Sequence, residues 1–474
     1  MATFDFSDYF FYKWRYVIGY TAVGLLLAGV LLFAGLYVPG GLSDAEMTSV
    51  IQSQQVSYGN IGTLAIINLP YHILQDGLLH LFGPSIFVIK LPSLILALLS
   101  ALGLIALLRR WFKPNIAVLS SLIAISTGQF LLIAQQGTPD ILYVFWPVTI
   151  LLLGTQVTRA TNYRALWKSL FAAAVALSLY TPLSIYTIAA VILTIALHPH
   201  LRAIIRRLSR KRIIISASIA LALLIPFIIT LFRTPNVLPE LLGIPTVWPS
   251  FIDNLTTVLK QYFLFWNPGA TTLLTPVFSL GSFLLIALGF YHLILTRDAT
   301  RSYLVLIWIA FMTPVLIINP ELTSVTFTIL VFLLAAGLTN LVNYWYRLFP
   351  RNPYARVSGL VPIIVLVVAL IGSGITRYVY GYHYGLQAAT LFSTDLRLIP
   401  DGKQELIVNK AQKPFYTAIL SYQDDIQLSD QPSQNTVITT RDVPAPKGYV
   451  IQHIITNDRS ADSNRFYIYT KNTD

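Results

Sequence analysis

Apolar stretches of about 20 residues recur from one end of this chain to the other, and they decide what it can fold into. Hydrocarbon offers no water to peptide groups, so each stretch is read as a membrane-crossing helix. We place these helices at 17–38, 86–108, 116–134, 141–157, 167–180, 183–197, 213–232, 273–295, 303–318, 323–343 and 358–376. The run 167–197 reads either as one long helix or as two short ones hinged at Thr181-Pro182. Charge chooses between them. With two helices, the basic clusters at 13–15, 109–113, 159–168, 202–212, 297–301 and 347–356 all fall on one side. They hold 19 of the 32 Lys and Arg, which makes that side cytoplasmic. The expected fold is mainly α: a polytopic membrane protein of about eleven transmembrane helices, N-terminus cytoplasmic. Its exoplasmic loops are 39–85, 135–140, 233–272 and 319–322.

The chain changes character after Arg377. The remainder is polar, with β-type runs at ELIVN, TVITT, YVIQHIIT and RFYIY. We expect a transmembrane module over 1–376 and a small exoplasmic α/β domain over 377–474. A net charge of +12 can signal nucleic acid, but here the cations sit between apolar runs, as topology demands, so no nucleic-acid partner is expected. The absence of cysteine excludes disulfides, thiolate metal sites and a cysteine nucleophile. Lys13 and Arg15 precede an apolar run too long for a cleavable signal. No dinucleotide, P-loop or HExxH pattern occurs.

The candidate chemistry lies in the loop 39–85 and the short turn QQGTPD. Asp44 and Glu46 stand just beyond the first apolar run, and Asp140 opens the fourth helix. A carboxylate at membrane depth is costly and is a functional candidate for that reason. Asp44, with Ser43 before it, and Asp140 are also good helix caps, so the two readings stand side by side. Asp44 and Glu46 point about 200° apart on a helix, so only one of them can face a given substrate; Asp44 is the favoured base, Glu46 the secondary one. His72, Asp76 and His80 share a helix face at a spacing that can ligate a metal, though a face toward water is commoner. His72 can also line a substrate pocket. FIDNLTTVLKQYFLFW reads as an amphipathic helix lying on the membrane. Its Lys260, with Lys90 and Arg377, supplies the exoplasmic cations that an anionic lipid headgroup needs; simple snorkelling accounts for any one of them as well.

LSDAEMTSVIQSQQ, NLPYHILQDGLLHLFGPSIFVIKLPSLILALLSALGLIALLRRWF and AQQGTPDILYVF together resemble the GT-C membrane glycosyltransferases, in particular the protein mannosyltransferase and aminoarabinose transferase branch. The match covers roughly the first 160 residues by motif and the rest by architecture. The resemblance implies a polyprenyl-phosphate sugar donor, a protein, lipid or polysaccharide acceptor, and transfer on the exoplasmic face, typically with inversion. It places the motif aspartate at Asp44, the span-four aspartate at Asp140 and the span-two cation at Lys90. Two positions depart from the pattern. Ala45 stands where a glutamate usually follows the aspartate, and Leu69 where the aminoarabinose enzymes carry a lysine. The expected activity is sugar transfer to an acceptor hydroxyl with Asp44 as general base, in the cell membrane, with a divalent metal at the phosphate as an open possibility. A transporter or flippase of a lipid-linked or polar substrate is the alternative, followed by a membrane scaffold. Among enzymes, a polysaccharide polymerase or ligase shares the donor.

Overall fold

The computed structural model describes residues 41–56, 66–159, 163–206, 210–266, 276–348 and 358–383, most of 388–472, and scattered positions before 34 and at 354. The first expected span lies largely outside the described residues, but is helical wherever it is described. Two helices follow it, α1 (Asp44–Gln54) and α2 (Leu69–Phe82), and then the long α3 (Ile86–Trp111). The next apolar run is broken into α4 (Pro114–Ile125) and α5 (Gly128–Gln135), bent by 63°. The break satisfies its own backbone: the Thr127 hydroxyl donates to the Ala124 carbonyl at 2.7 Å and accepts from Phe130 N–H at 3.3 Å. A one-turn 3-10 segment, Pro139–Ile141, then feeds α6 (Leu142–Arg159).

The run 167–197 is two helices, Arg164–Ser178 and Ser184–Leu197, separated at Thr181-Pro182. Later helices are Arg210–Arg233, Leu280–Leu295, Thr300–Ile318, Phe327–Leu348 and Leu360–His383. Among the described residues six helices are long and apolar enough to cross a membrane, or up to eight if each of two bent pairs counts as one. The expected eleven exceeds eight by three: Arg164–Ser178 and Leu280–Leu295 are short, at 15 and 16 residues, and the first expected span lies in part outside the described residues. The core of the bundle depends on close backbone approach: a Cβ on Gly289 would strike the Leu333 carbonyl, and one on Gly337 the Leu285 carbonyl.

The last helix runs to His383, past the expected boundary at 377. Beyond it a five-stranded sheet has the order β2-β1-β3-β5-β4. β1 (Gln404–Ile407) lies parallel to β2 (Ile426–Leu428) and β3 (Thr436–Thr440), while β5 (Arg465–Lys471) runs antiparallel to β3 and to β4 (Tyr449–Thr456). The helix Lys413–Leu420 joins β1 to β2. Its Phe415, Tyr416 and Ile419 form one apolar cluster with Met47 and Val50 of α1, Leu79 of α2 and Val88 of α3. The small domain thus grips the helices of the first loop.

Candidate active site

The start of α1 is built by a capping box. Ser43 is the N-cap, its hydroxyl accepting from Glu46 N–H at 3.4 Å, and Glu46 Oε2 accepts from Ser43 N–H at 2.8 Å. Because Ser43 performs the capping, Asp44 does not. The Asp44 carboxylate is exposed in the first helical turn, and no described residue pairs with it.

Glu46 faces the other way. Its side chain is fully buried, with Lys90 Nζ 3.2 Å from Oε1. The same oxygen accepts Gly137 N–H at 2.7 Å. Lys90 also donates to Gln135 at 3.2 Å and lies over the Phe392 ring, 5.1 Å from its centroid. Expected as a reserve base and a phosphate ligand, Glu46 and Lys90 are spent on each other in this conformation. Their pairing locks the turn QQGTPD against α1 and α3. A buried charge has to find such a partner.

Asp140 arrives through that turn. The cap of its 3-10 segment is Thr138, so Asp140 is not a cap either. The hydrogen bond from Gly137 to Glu46 joins the turn bearing Asp140 to the helix bearing Asp44. Tyr71, buried between them and hydrogen-bonded to Ser93 at 2.9 Å, is held protonated, chiefly by burial and further by the Glu46 and Asp140 carboxylates.

Gln75 ties these pieces together, and sequence reasoning missed it. Its Nε2 donates to the Ile89 and Gly137 carbonyls at 3.0 and 3.3 Å, which fixes the amide orientation. Its Oε1 therefore accepts from the Ser49 and Ser53 hydroxyls at 2.9 and 2.7 Å. The four-residue spacing of Ser49 and Ser53 was the available signal: two small polar groups on one helix face ask for a buried polar partner. The Ser53 hydroxyl also lies within hydrogen-bond reach of His72 Nδ1, 2.9 Å away. The other ring nitrogen, Nε2, is buried with no partner among the described residues. Burial lowers the His72 pKa to about 4, so the ring is neutral.

The metal reading of the His72 face is not supported. His72 turns inward to Ser53. Asp76 instead accepts from the Tyr422 hydroxyl of the C-terminal domain at 2.7 Å and pairs with the exposed His80 at 3.3 Å. Among the described residues no three metal-ligating side chains converge.

The expected amphipathic helix is present as Phe251–Phe263, with Lys260 exposed on it. It leads to Phe265 and Trp266, which with Pro276, Ser279, Leu280 and Arg377 line a cleft of about 430 Å³. One terminal nitrogen of Arg377, Nη2, is buried and has no partner among the described residues. One turn before it, Gly374 packs against the break between α4 and α5. From there the eight-residue α5, about 12 Å long, leads to Gln135 and the Lys90 pair.

Residues 71–230 match the family described as dolichyl-phosphate-mannose-protein mannosyltransferase. No curated protein matches the sequence. Among solved structures, ArnT from Cupriavidus metallidurans bound to undecaprenyl phosphate superposes with a TM-score of 0.54 at 14% identity, over 96% of this chain and 98% of that one. The archaeal oligosaccharyltransferase AglB from Archaeoglobus fulgidus, in complex with an inhibitory peptide and a dolichol-phosphate, gives 0.53 at 14% identity, over 91% of this chain and 70% of that one. The resemblance read from the first-loop motifs holds: this chain has the fold of the GT-C membrane glycosyltransferases.

Proposed function

We propose that this chain, built on the GT-C fold, is a membrane glycosyltransferase that moves a sugar from a polyprenyl-phosphate donor to an acceptor hydroxyl on the exoplasmic face. The observation that carries the reading is the free carboxylate of Asp44. Helix capping belongs to Ser43 and charge pairing to Glu46, so Asp44 has no structural duty left among the described contacts.

A lipid phosphate leaves readily, so neither a nucleotide nor a covalent intermediate is needed. The bond from the anomeric carbon to the phosphate oxygen breaks, its electron pair leaving with the phosphate. The acceptor oxygen attacks from the opposite face, giving inversion, and its proton passes to Asp44. Asp140, on the turn docked against the same helix, orients the acceptor or sugar and stabilises the oxocarbenium-like charge. The unpartnered Nη2 of Arg377 receives the lipid phosphate, and Lys260 adds positive potential. The apolar cleft beside Arg377 suits the first isoprene units. His72 Nε2, without a partner among the described residues, meets a polar group of the substrate.

Asp44→Asn is the test. Asn is nearly isosteric with Asp, and the exposed Asp44 side chain has no described partner to lose, so folding and donor binding should persist. Loss of a general base costs roughly 10²–10⁴-fold in rate. Near wild-type turnover by Asp44→Asn with a confirmed donor would refute the assignment.

A further inference from the structure

At the opposite end of the bundle, where the basic clusters gather, lies a second and larger cavity of about 670 Å³. Its size is that of a small-molecule site, and its walls are mostly aliphatic. Four side chains that carry or can carry positive charge line it, each from a different element: Arg159 at the end of α6, Lys168 early in Arg164–Ser178, His200 on the helix Pro199–Arg206 and Arg301 at the start of Thr300–Ile318. No Asp or Glu lines it.

The two arginines are already oriented. Arg159 and Arg301 each donate to a carbonyl in the last turn of α3, at Arg110 and Trp111, both at 2.8 Å. Each guanidinium has five donors, so both keep hydrogen-bonding capacity to spare. Lys168 differs. Its stem is largely covered, its ammonium stays accessible at the cavity, and no described residue gives it a hydrogen bond or a carboxylate. Arg164 and Arg212 are also close enough to repel its charge. Cations that gather at one cavity with no carboxylate among them favour an anion that completes the site.

The shape of the site says where the anion comes from. Pro199–Arg206 turns 92° away from Ser184–Leu197, so it lies across the bundle end rather than along it. Its Leu201 and Ile204 face the cavity, while Arg202 and Arg206 are exposed. A short helix with one aliphatic face and one basic face belongs at the headgroup level of a bilayer. We propose that this cavity binds one anionic phospholipid of the surrounding leaflet. Its phosphate sits between Lys168 and Arg301, and an acyl chain lies along the aliphatic wall. The inference rests on the membrane fold and is independent of the sugar-transfer chemistry.

The test is native mass spectrometry of the detergent-solubilised full chain, titrated with phosphatidylglycerol, phosphatidylcholine, a polyprenyl phosphate and inorganic phosphate. One phosphatidylglycerol is expected to remain bound, at least tenfold more tightly than phosphatidylcholine. Lys168→Gln should weaken it about tenfold, Lys168→Arg should restore it, and both variants should keep the wild-type melting temperature. Inorganic phosphate at millimolar concentration should not displace the lipid. Equal retention of phosphatidylcholine, or unchanged binding by folded Lys168→Gln, overturns the proposal. So does displacement by inorganic phosphate. Tighter binding of the polyprenyl phosphate at this site would assign the cavity to a different lipid and refute the phospholipid.

Discussion

Lys90 separates two accounts of the site, and the difference is large enough to measure. The structure gives both Lys90 and Glu46 zero side-chain exposure at a separation of 3.2 Å. At an effective dielectric of about 20 their attraction is about 5 kcal/mol, and deleting one partner of a buried pair costs roughly 3–5 kcal/mol. Lys90→Met leaves the carboxylate with Gly137 N–H and the two Ser43 donors but without a countercharge. Glu46→Gln fails differently. Whichever way the amide is turned, its NH₂ meets a backbone N–H, at Gly137 or at Ser43. Each single variant should therefore lose about 3–5 kcal/mol in unfolding titrations in mixed micelles. The double variant should lose markedly less than their sum, with a coupling of about 2 kcal/mol or more. If Lys90 instead serves as a phosphate ligand, Lys90→Met unfolds like wild type and shows a raised donor KM. That outcome, or additive losses under about 1 kcal/mol, refutes the structural account.

Other consequences are as direct. The folded-state pKa of His72 lies at about 4 because of burial, below its unfolded value of about 6.5. Its contribution is therefore intact above pH 6.5 and is lost as pH falls toward 4, at up to about 1.4 kcal/mol per unit; His72→Gln should flatten that slope in a pH-resolved unfolding series. Arg377→Gln should raise the donor KM about tenfold or more with little change in melting temperature, and an unaltered KM would remove it from the phosphate site. Gly337→Leu should prevent the close crossing with Leu280–Leu295 and abolish recovery of folded protein, whereas Gly372→Leu, in open space, should be tolerated. Reporters placed after His383 and between Arg206 and Arg210 should read out on opposite sides of the membrane, and agreement between them would undo the orientation proposed here.

The helices were legible because hydrophobic length is a one-dimensional signal, and the amphipathic stretch 251–266 was legible by period. Four of the five strands coincide with the aliphatic and aromatic runs of the tail; β2, only three residues long, carries too little pattern to be seen. The angular argument that Asp44 and Glu46 cannot share a face anticipated what the structure shows, one exposed and one buried. It could not say what Glu46 buries itself against. Lys90 is brought to it by the packing of α3, and Gly137 by the turn before α6. Such pairings have no period and no motif, which is why Gln75 and Tyr71 also escaped notice. Lys168 and Arg301 read only as topology signals, since a linear sequence does not reveal which cations lack a carboxylate.

One contact carries a temporal consequence. Leu42, two residues before Asp44, forms a two-way backbone bridge with Thr394, and Tyr422 reaches back to Asp76. The first loop leaves the ribosome long before either partner exists. For most of synthesis α1 and α2 therefore lack the contacts that hold them to the final domain. If the proposed sugar transfer holds, a chain truncated before Thr394 should insert in the bilayer and yet show no transfer.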